Sequence, residues 1–270
     1  MEPILIALAI VGGVGLLCAI FLVLAAHFLA IEEEEKIKQI RDCLPGANCG
    51  ACGYSGCDEY AKALALGECE PSLCIPGSTG VAEKLSELLD IKITVSEPVV
   101  AFVKCNGSCG DAAKKAVYDG IFSCKAAAQL YGGPNACRYG CLGCGDCAAV
   151  CPSDAICIKA GIAHIDPRAC IGCGMCESAC PKGVIAFRAR DSKVAVMCSS
   201  HDSGAVARKA CTKACIGCRK CEKTCPEGAI TVRNNLAEID YEKCTGCGLC
   251  AEACPTNCIK TTDFVLASIV

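Results

Sequence analysis

By its apolar and polar positions, the chain falls into an unbroken hydrophobic run, a short amphipathic region and a long tract of brief alternating segments. Ile4 to Ile31 is 28 residues without a charge, and His27 is its one strongly polar side chain. At 1.5 Å per residue such a helix spans roughly 42 Å, enough to cross a bilayer core of about 30 Å with tilt. A cleaved leader would carry a shorter apolar core behind a positive start. This chain begins Met1-Glu2-Pro3, so an anchor is expected. Gly12, Gly13 and Gly15 lie inside the run, where they read as helix-packing residues and not as a nucleotide loop. Lys36, Lys38 and Arg41 follow the run and no basic residue precedes it, a bias that leaves the bulk of the chain in the cytoplasm. The acidic stretch Glu32–Glu35 reads as a solvated helix start. Beyond it, Asp58–Leu66 and Val81–Leu89 read as helices, with Ser78-Thr79-Gly80 as the turn that caps the second. Ala155–Lys159, Val184–Arg188, Ala229–Arg233 and Ala237–Asp240 alternate as small hairpin strands do.

Composition changes the picture. Of 270 residues, 31 are cysteine, only 4% are aromatic and none is tryptophan, so the 53% hydrophobic share overstates what can fill an interior. With 26 basic and 29 acidic side chains, the balance excludes nucleic-acid binding by bulk positive charge. A reducing cytoplasm argues against disulfides. Three histidines, none paired with cysteines at zinc spacing, argue against a structural zinc protein.

The cysteine spacing carries the chemistry. C-x2-C-x2-C-x3-C-P occurs four times, starting at Cys141, Cys170, Cys215 and Cys244 and closing on Pro152, Pro181, Pro226 and Pro255. Twenty-nine residues separate the first start from the second and the third from the fourth, and 74 separate the two doublets. This is the bacterial ferredoxin run, in which three cysteines wrap one cluster and the fourth ligates its neighbour. The expected sets are Cys141, Cys144, Cys147 with Cys180; Cys170, Cys173, Cys176 with Cys151; Cys215, Cys218, Cys221 with Cys254; and Cys244, Cys247, Cys250 with Cys225.

Nearer the hydrophobic run, Cys49, Cys52, Cys57 and Cys74 make a fifth [4Fe-4S] set, with Cys43 and Cys69 as competitors on spacing alone. Cys105, Cys109, Cys124 and Cys137 are the expected sixth. That gives at least five clusters and six with this last set. Cys18, Cys43, Cys69, Cys157, Cys198, Cys211 and Cys258 are left over, and Cys198 and Cys211 stand as material for another site without assignment. His164 and His201 are isolated from the cysteine loops and read as structural or exposed.

The fold expected is a small, cluster-dominated α+β chain. Its parts are an anchor (1–31), a [4Fe-4S] domain (32–91), a connecting segment (92–131), two bacterial-type 2[4Fe-4S] ferredoxin-like domains (132–190 and 191–264) and a tail (265–270). No Gly-rich loop follows a strand and opens a helix, so neither an NAD+ nor a flavin site is expected.

The order anchor, Leu44-Pro-Gly-Ala-Asn-Cys-Gly-Ala-Cys-Gly-Tyr-Ser-Gly-Cys57, Cys74-Ile-Pro-Gly, then ferredoxin runs resembles the B-subunit family of the Rnf complex, the membrane-bound ferredoxin:NAD+ oxidoreductase. The resemblance covers nearly the whole chain and is most specific at residues 44–77. With two doublets, the chain is similar to the longer, clostridial-type form. The resemblance implies a subunit that takes low-potential electrons from reduced ferredoxin. It would relay them to other membrane and peripheral subunits, in a complex that couples electron flow to NAD+ with Na+ or H+ translocation and can run in reverse. A polyferredoxin subunit of another membrane-associated hydrogenase or dehydrogenase is the rival, which fits the runs but not the anchor or the 44–77 motif. Ferredoxin itself would dock near Arg208, Lys209, Lys213, Arg219, Lys220 and Lys223, among which Glu222 is the one acid. The bland alternative is that these six residues offset the charge of nearby clusters.

Overall fold

The computed structural model describes residues 12–24, 35–91 and 98–261. Residues 12–24 form helix α1. Its Leu16, Leu17, Phe21 and Val23 are 64–72% exposed, so its apolar surface has no cover among the described residues. The rest of the expected anchor (4–11 and 25–31), Glu32–Glu34 and the tail 265–270 lie outside the described residues. Among the described residues no helix is long and apolar enough to cross a membrane.

Three helices build the first small body: α2 (Glu35–Cys43), α3 (Cys57–Leu66) and α4 (Ser78–Leu89). Asn48 Oδ1 accepts the Cys57 N–H at 2.8 Å, which starts α3 one residue earlier than the sequence suggests. Gly67 ends it in the left-handed conformation, and the Gly67 and Glu68 N–H groups return to the Leu64 and Ala63 carbonyls. Gly77 takes the cap position of α4, so Ser78-Thr79-Gly80, expected as the capping turn, is instead the first turn of the helix. Ile40, Tyr60, Ala61 and Leu85 form the dry centre of this body, and the Tyr60 hydroxyl donates to the Glu70 carbonyl at 2.9 Å.

Two similar units follow, each made of two antiparallel ribbons. In the first, β1 (Val99–Val103) pairs with a distant β4 (Ile185–Ala189), while β2 (Ile156–Lys159) and β3 (Ile162–Ile165) form a hairpin. In the second, β5 (Val194–Val196) pairs with β8 (Ile259–Thr261), and β6 (Ile230–Arg233) with β7 (Leu236–Ile239). The hairpins turn on Ala160-Gly161 and Asn234-Asn235, all at positive φ, as the tight turns that suit ribbon twist require. The four expected strands fall on β2, β4, β6 and β7 to within one residue. Strand β1 lies inside the segment 92–131 that the sequence reads as a connector. Its pairing with β4 makes it part of the first unit.

Helix α5 (Cys124–Gln129) occupies the connector before the first run and α8 (Gly204–Ala210) the connector before the third. Short helices α6 (Asp146–Ala149), α7 (Met175–Ala179), α9 (Lys220–Thr224) and α10 (Leu249–Glu252) each carry the third cysteine of a run. Cysteine thiols are packed among the aliphatic side chains of both interiors. Val100, Ile162 and Val184 pack with Cys141, Cys147, Cys170 and Cys176, and Val194, Ile230 and Leu236 pack with Cys215, Cys221, Cys250 and Cys254. The units are joined by backbone hydrogen bonds from Ala113 to Ala210 and from Thr212 to Asp111, and by the Arg138–Asp202 ion pair at 2.7 Å.

Candidate metal centres

Each run is folded so that two cysteines sit in a tight loop, the third opens a short helix and the fourth leaves towards the neighbouring loop. The residue before the short helix is left-handed in every case: Gly145, Gly174, Arg219 and Gly248. Glycine bears that conformation at little cost, whereas a non-glycine residue loses about 1–2 kcal/mol. The loops also lie hard against their hairpins. A Cβ on Gly143, at φ +72°, would sit 2.2 Å from the Gly161 carbonyl oxygen.

The crossed sets expected from spacing come together as sulfur-lined cavities. Cys215, Cys218, Cys221 and Cys254 line one, and Cys225, Cys244, Cys247 and Cys250 line another. In the first unit Cys141, Cys147 and Cys180 line a third, and beside it the Cys144 thiol is hydrogen-bonded to Cys124 and feels the charge of Cys141. Cys151, Cys170, Cys173 and Cys176 feel one another's charge in the same way. In the helical body Cys74 feels the charge of Cys57, Cys49 and Cys52. The sulfurs surround cavities and do not close on a point: among the described residues no three His, Cys, Asp or Glu groups are set to hold a single metal ion.

Burial governs the thiols. It pushes Cys147 up to about 12, and Cys144, Cys176, Cys221 and Cys250 up to about 11. Backbone amides offset it in part: the Ala101 N–H donates to Cys170 Sγ at 3.5 Å, and Cys141 takes N–H groups from Ala163 and Gly143. Buried sulfurs in glycine-cradled loops with amides aimed at them suit an iron–sulfur cube, whose potential is set by such hydrogen bonds.

The comparisons with known proteins agree. A family model described as "Putative Fe-S cluster" matches residues 44–76. A model described as "4Fe-4S dicluster domain" matches residues 140–184 and 214–258, and a second of that description matches 169–230. The B subunit of the proton-translocating ferredoxin:NAD(+) oxidoreductase complex of Clostridium ljungdahlii is 44% identical over 242 residues, covering 89% of this chain and 85% of the relative. The B subunit of the Na(+)-translocating ferredoxin:NAD(+) oxidoreductase complex of Acetobacterium woodii is 41% identical over 260 residues, 96% and 78% of the two chains. The chain belongs to the B-subunit family of ion-translocating ferredoxin:NAD+ oxidoreductase complexes. A third member, the B subunit of the ion-translocating oxidoreductase complex of Methanosarcina acetivorans, is 39% identical over 245 residues, 90% and 93% of the two chains.

For a member of this family with 4Fe-4S domains, the remaining thiols fall in unexpected places. Cys105, Cys109, Cys124 and Cys137 do not meet. Cys124 lines the first-unit cavity with Cys141, Cys147 and Cys180, and its N–H donates to Asp146 at 2.9 Å. Cys109 packs on the β2–β3 turn, where its N–H donates to the Ala160 carbonyl at 2.8 Å. Cys105 and Cys137 instead share a cavity with Cys198 and Cys211. Cys258 adds a fifth sulfur to the Cys215 set. It lies 3.6 Å from Cys254, and hydrogen bonding with it draws Cys254 down to about 4 and Cys215 down to about 6. In the helical body Cys69 is hydrogen-bonded to Tyr54.

Proposed function

We propose that this chain is the electron-relay subunit of a membrane-bound ferredoxin:NAD+ oxidoreductase complex. It takes electrons from reduced ferredoxin and passes them to other subunits while the complex moves Na+ or H+. Five [4Fe-4S] clusters would be held by Cys49, Cys52, Cys57, Cys74; by Cys141, Cys144, Cys147, Cys180; by Cys170, Cys173, Cys176, Cys151; by Cys215, Cys218, Cys221, Cys254; and by Cys244, Cys247, Cys250, Cys225. When bound, such clusters supply one-electron carriers. The protein's own work is to hold the thiolates, aim amides at sulfur, exclude water and keep the loops adjacent.

The observation that carries the reading is that adjacency. The loop Cys49-Gly50-Ala51 and Ile75 face Gly172, Cys173 and Gly174 across one cleft, and Cys173 feels the charge of Cys49. The helical body's loop thus abuts a ferredoxin loop, as a relay needs. The bare apolar surface of α1 supports its extension through residues 4–31 as a single-pass anchor. The basic residues after it support a cytoplasmic position for the cysteine-rich domains.

Ferredoxin would arrive at the third run. Cys218 is exposed there, and Arg208, Lys209, Arg219, Lys220 and Lys223 are exposed around it, with Lys213 half-buried. Arg219 holds a left-handed backbone that glycine holds in the three sister loops, at a cost in stability that favours a functional reason for the guanidinium. The test is stopped-flow reduction of the anaerobically purified chain by reduced ferredoxin. Bleaching of the visible absorbance is expected, roughly tenfold slower and less salt-dependent in Arg219→Glu with Lys220→Glu. Absence of bleaching removes the relay reading; an unchanged rate in the variant removes the docking face.

A further inference from the structure

We propose that Cys105, Cys137, Cys198 and Cys211 hold a sixth [4Fe-4S] cluster at the junction of the two ferredoxin-like units. The inference rests on the relay reading and extends it. The four thiols line a single cavity, as the thiols at the Cys215, Cys141 and Cys244 loops line theirs. Two thiols come from each unit, and they come from equivalent positions. Cys105 lies two residues beyond the end of β1 and Cys198 two beyond the end of β5. Cys137 precedes the first cysteine of its run by four residues, as Cys211 does, and the 74-residue offset of the doublets carries Cys137 onto Cys211. The site therefore has the two-fold character of the tandem units themselves, and neither unit completes it alone.

Its surroundings are those of the other sets. The Cys141 N–H donates to Cys105 Sγ at 3.4 Å, and the Cys215 N–H donates to Cys198 Sγ at 3.3 Å, so each sulfur is gripped by the first cysteine of the following run. The Ser200 N–H adds a second bond to Cys198 at 3.5 Å. Two glycines make room. A Cβ on Gly107 would stand 2.9 Å from Cys211 Sγ and 3.9 Å from Cys105 Sγ, and one on Gly140 would stand 3.5 Å from Cys137 Sγ and 3.8 Å from Cys105 Sγ. Neither glycine has a positive φ, so at Gly107 the space beside the sulfurs, and not the backbone conformation, is what excludes a side chain, while at Gly140 a methyl group would only touch them. Lys104 and Lys213 line the same cavity and suit a cluster of net negative charge. The ribbon contacts of Ala112 and Ala113 with Cys211 and Ala210 hold the two halves in register around it. A cluster here would stand between the Cys141 loop and the Cys215 loop, joining what are otherwise two separate doublets.

The experiment is iron and labile-sulfide quantitation on the full chain purified anaerobically, with Cys137→Ala/Cys211→Ala and Cys109→Ala beside the wild type. At four irons per cube, about 24 irons are expected for the wild type and for Cys109→Ala, and about 20 for the double variant. Equal iron in the double variant and the wild type overturns the site. A wild-type total near 20 also overturns it while leaving the five-cluster reading intact, and a total far below 20 removes that reading with it. Should the double variant fail to fold, iron anomalous scattering from the wild-type protein decides. A peak bounded by the four sulfurs is expected, and none there overturns the assignment.

Discussion

At position 219 an arginine occupies the backbone conformation that Gly145, Gly174 and Gly248 occupy in the sister loops. Nothing local rewards it: its nearest acid, Glu222, is 3.9 Å away, and the arginine side chain is 63% exposed, so that pair contributes little. Replacing it with the residue its backbone prefers separates stability from docking. Arg219→Gly is expected to stabilise the second unit by about 1 kcal/mol, raising the thermal midpoint by about 2–4 °C in a chain of this size. The same change should slow reduction by ferredoxin at low salt. Differential scanning fluorimetry and stopped-flow absorbance check the two halves of the expectation, and a variant both less stable and equally fast contradicts it.

Among the elements, the loops and hairpins form a single device. The first cysteine loop cannot move off the β2–β3 turn, because Gly143 meets the Gly161 carbonyl with no room for a methyl group. Gly143→Ala combines that clash with a left-handed φ, and should cost more than about 2 kcal/mol, at the upper end of local strain effects. Gly174→Ala, which meets nothing within 4 Å, should cost about 1 kcal/mol from conformation alone. Iron content and the urea midpoint distinguish them: the first should lose about four irons, the second none. This contrast was not legible in the sequence, where Gly143 before the second cysteine of its run and Gly174 after the second cysteine of its own read alike as loop glycines. The β6–β7 hairpin was legible because its strands are close neighbours with alternating residues and a two-residue turn, and of the β2–β3 hairpin only β2 was read. Of the outer ribbons only β4 was read as a strand, and its partner was not, since β1 and β4 are separated by more than 80 residues and β5 and β8 are too short to announce themselves.

For the whole molecule, thiols are packed among the aliphatic side chains of both interiors, and α1 carries an apolar surface with no protein cover among the described residues. The proposed clusters would complete the interiors, and the proposed anchor would place the bare face of α1 in lipid. Alkaline carbonate washing of membranes from expressing cells is expected to leave the chain in the pellet, and deletion of residues 1–31 to release it. Full release of the intact chain would contradict the anchor.

The sequence alone determined the ligand runs, their doubling and the family, because cluster ligation imposes short local spacings that survive in linear order. It also marked the amphipathic helices α3 and α4 and the strands β2, β4, β6 and β7, whose periodicity is local. Tertiary structure decided the partners of the remaining thiols. Cys124 went to the first unit's cavity, Cys109 to a hairpin turn, and Cys105 and Cys137 to a junction with Cys198 and Cys211. The 74-residue offset from Cys137 to Cys211 was a signal within the sequence. It gained meaning only when the packing of two units brought equivalent positions face to face, since linear spacing says nothing about which surfaces two repeats turn toward each other.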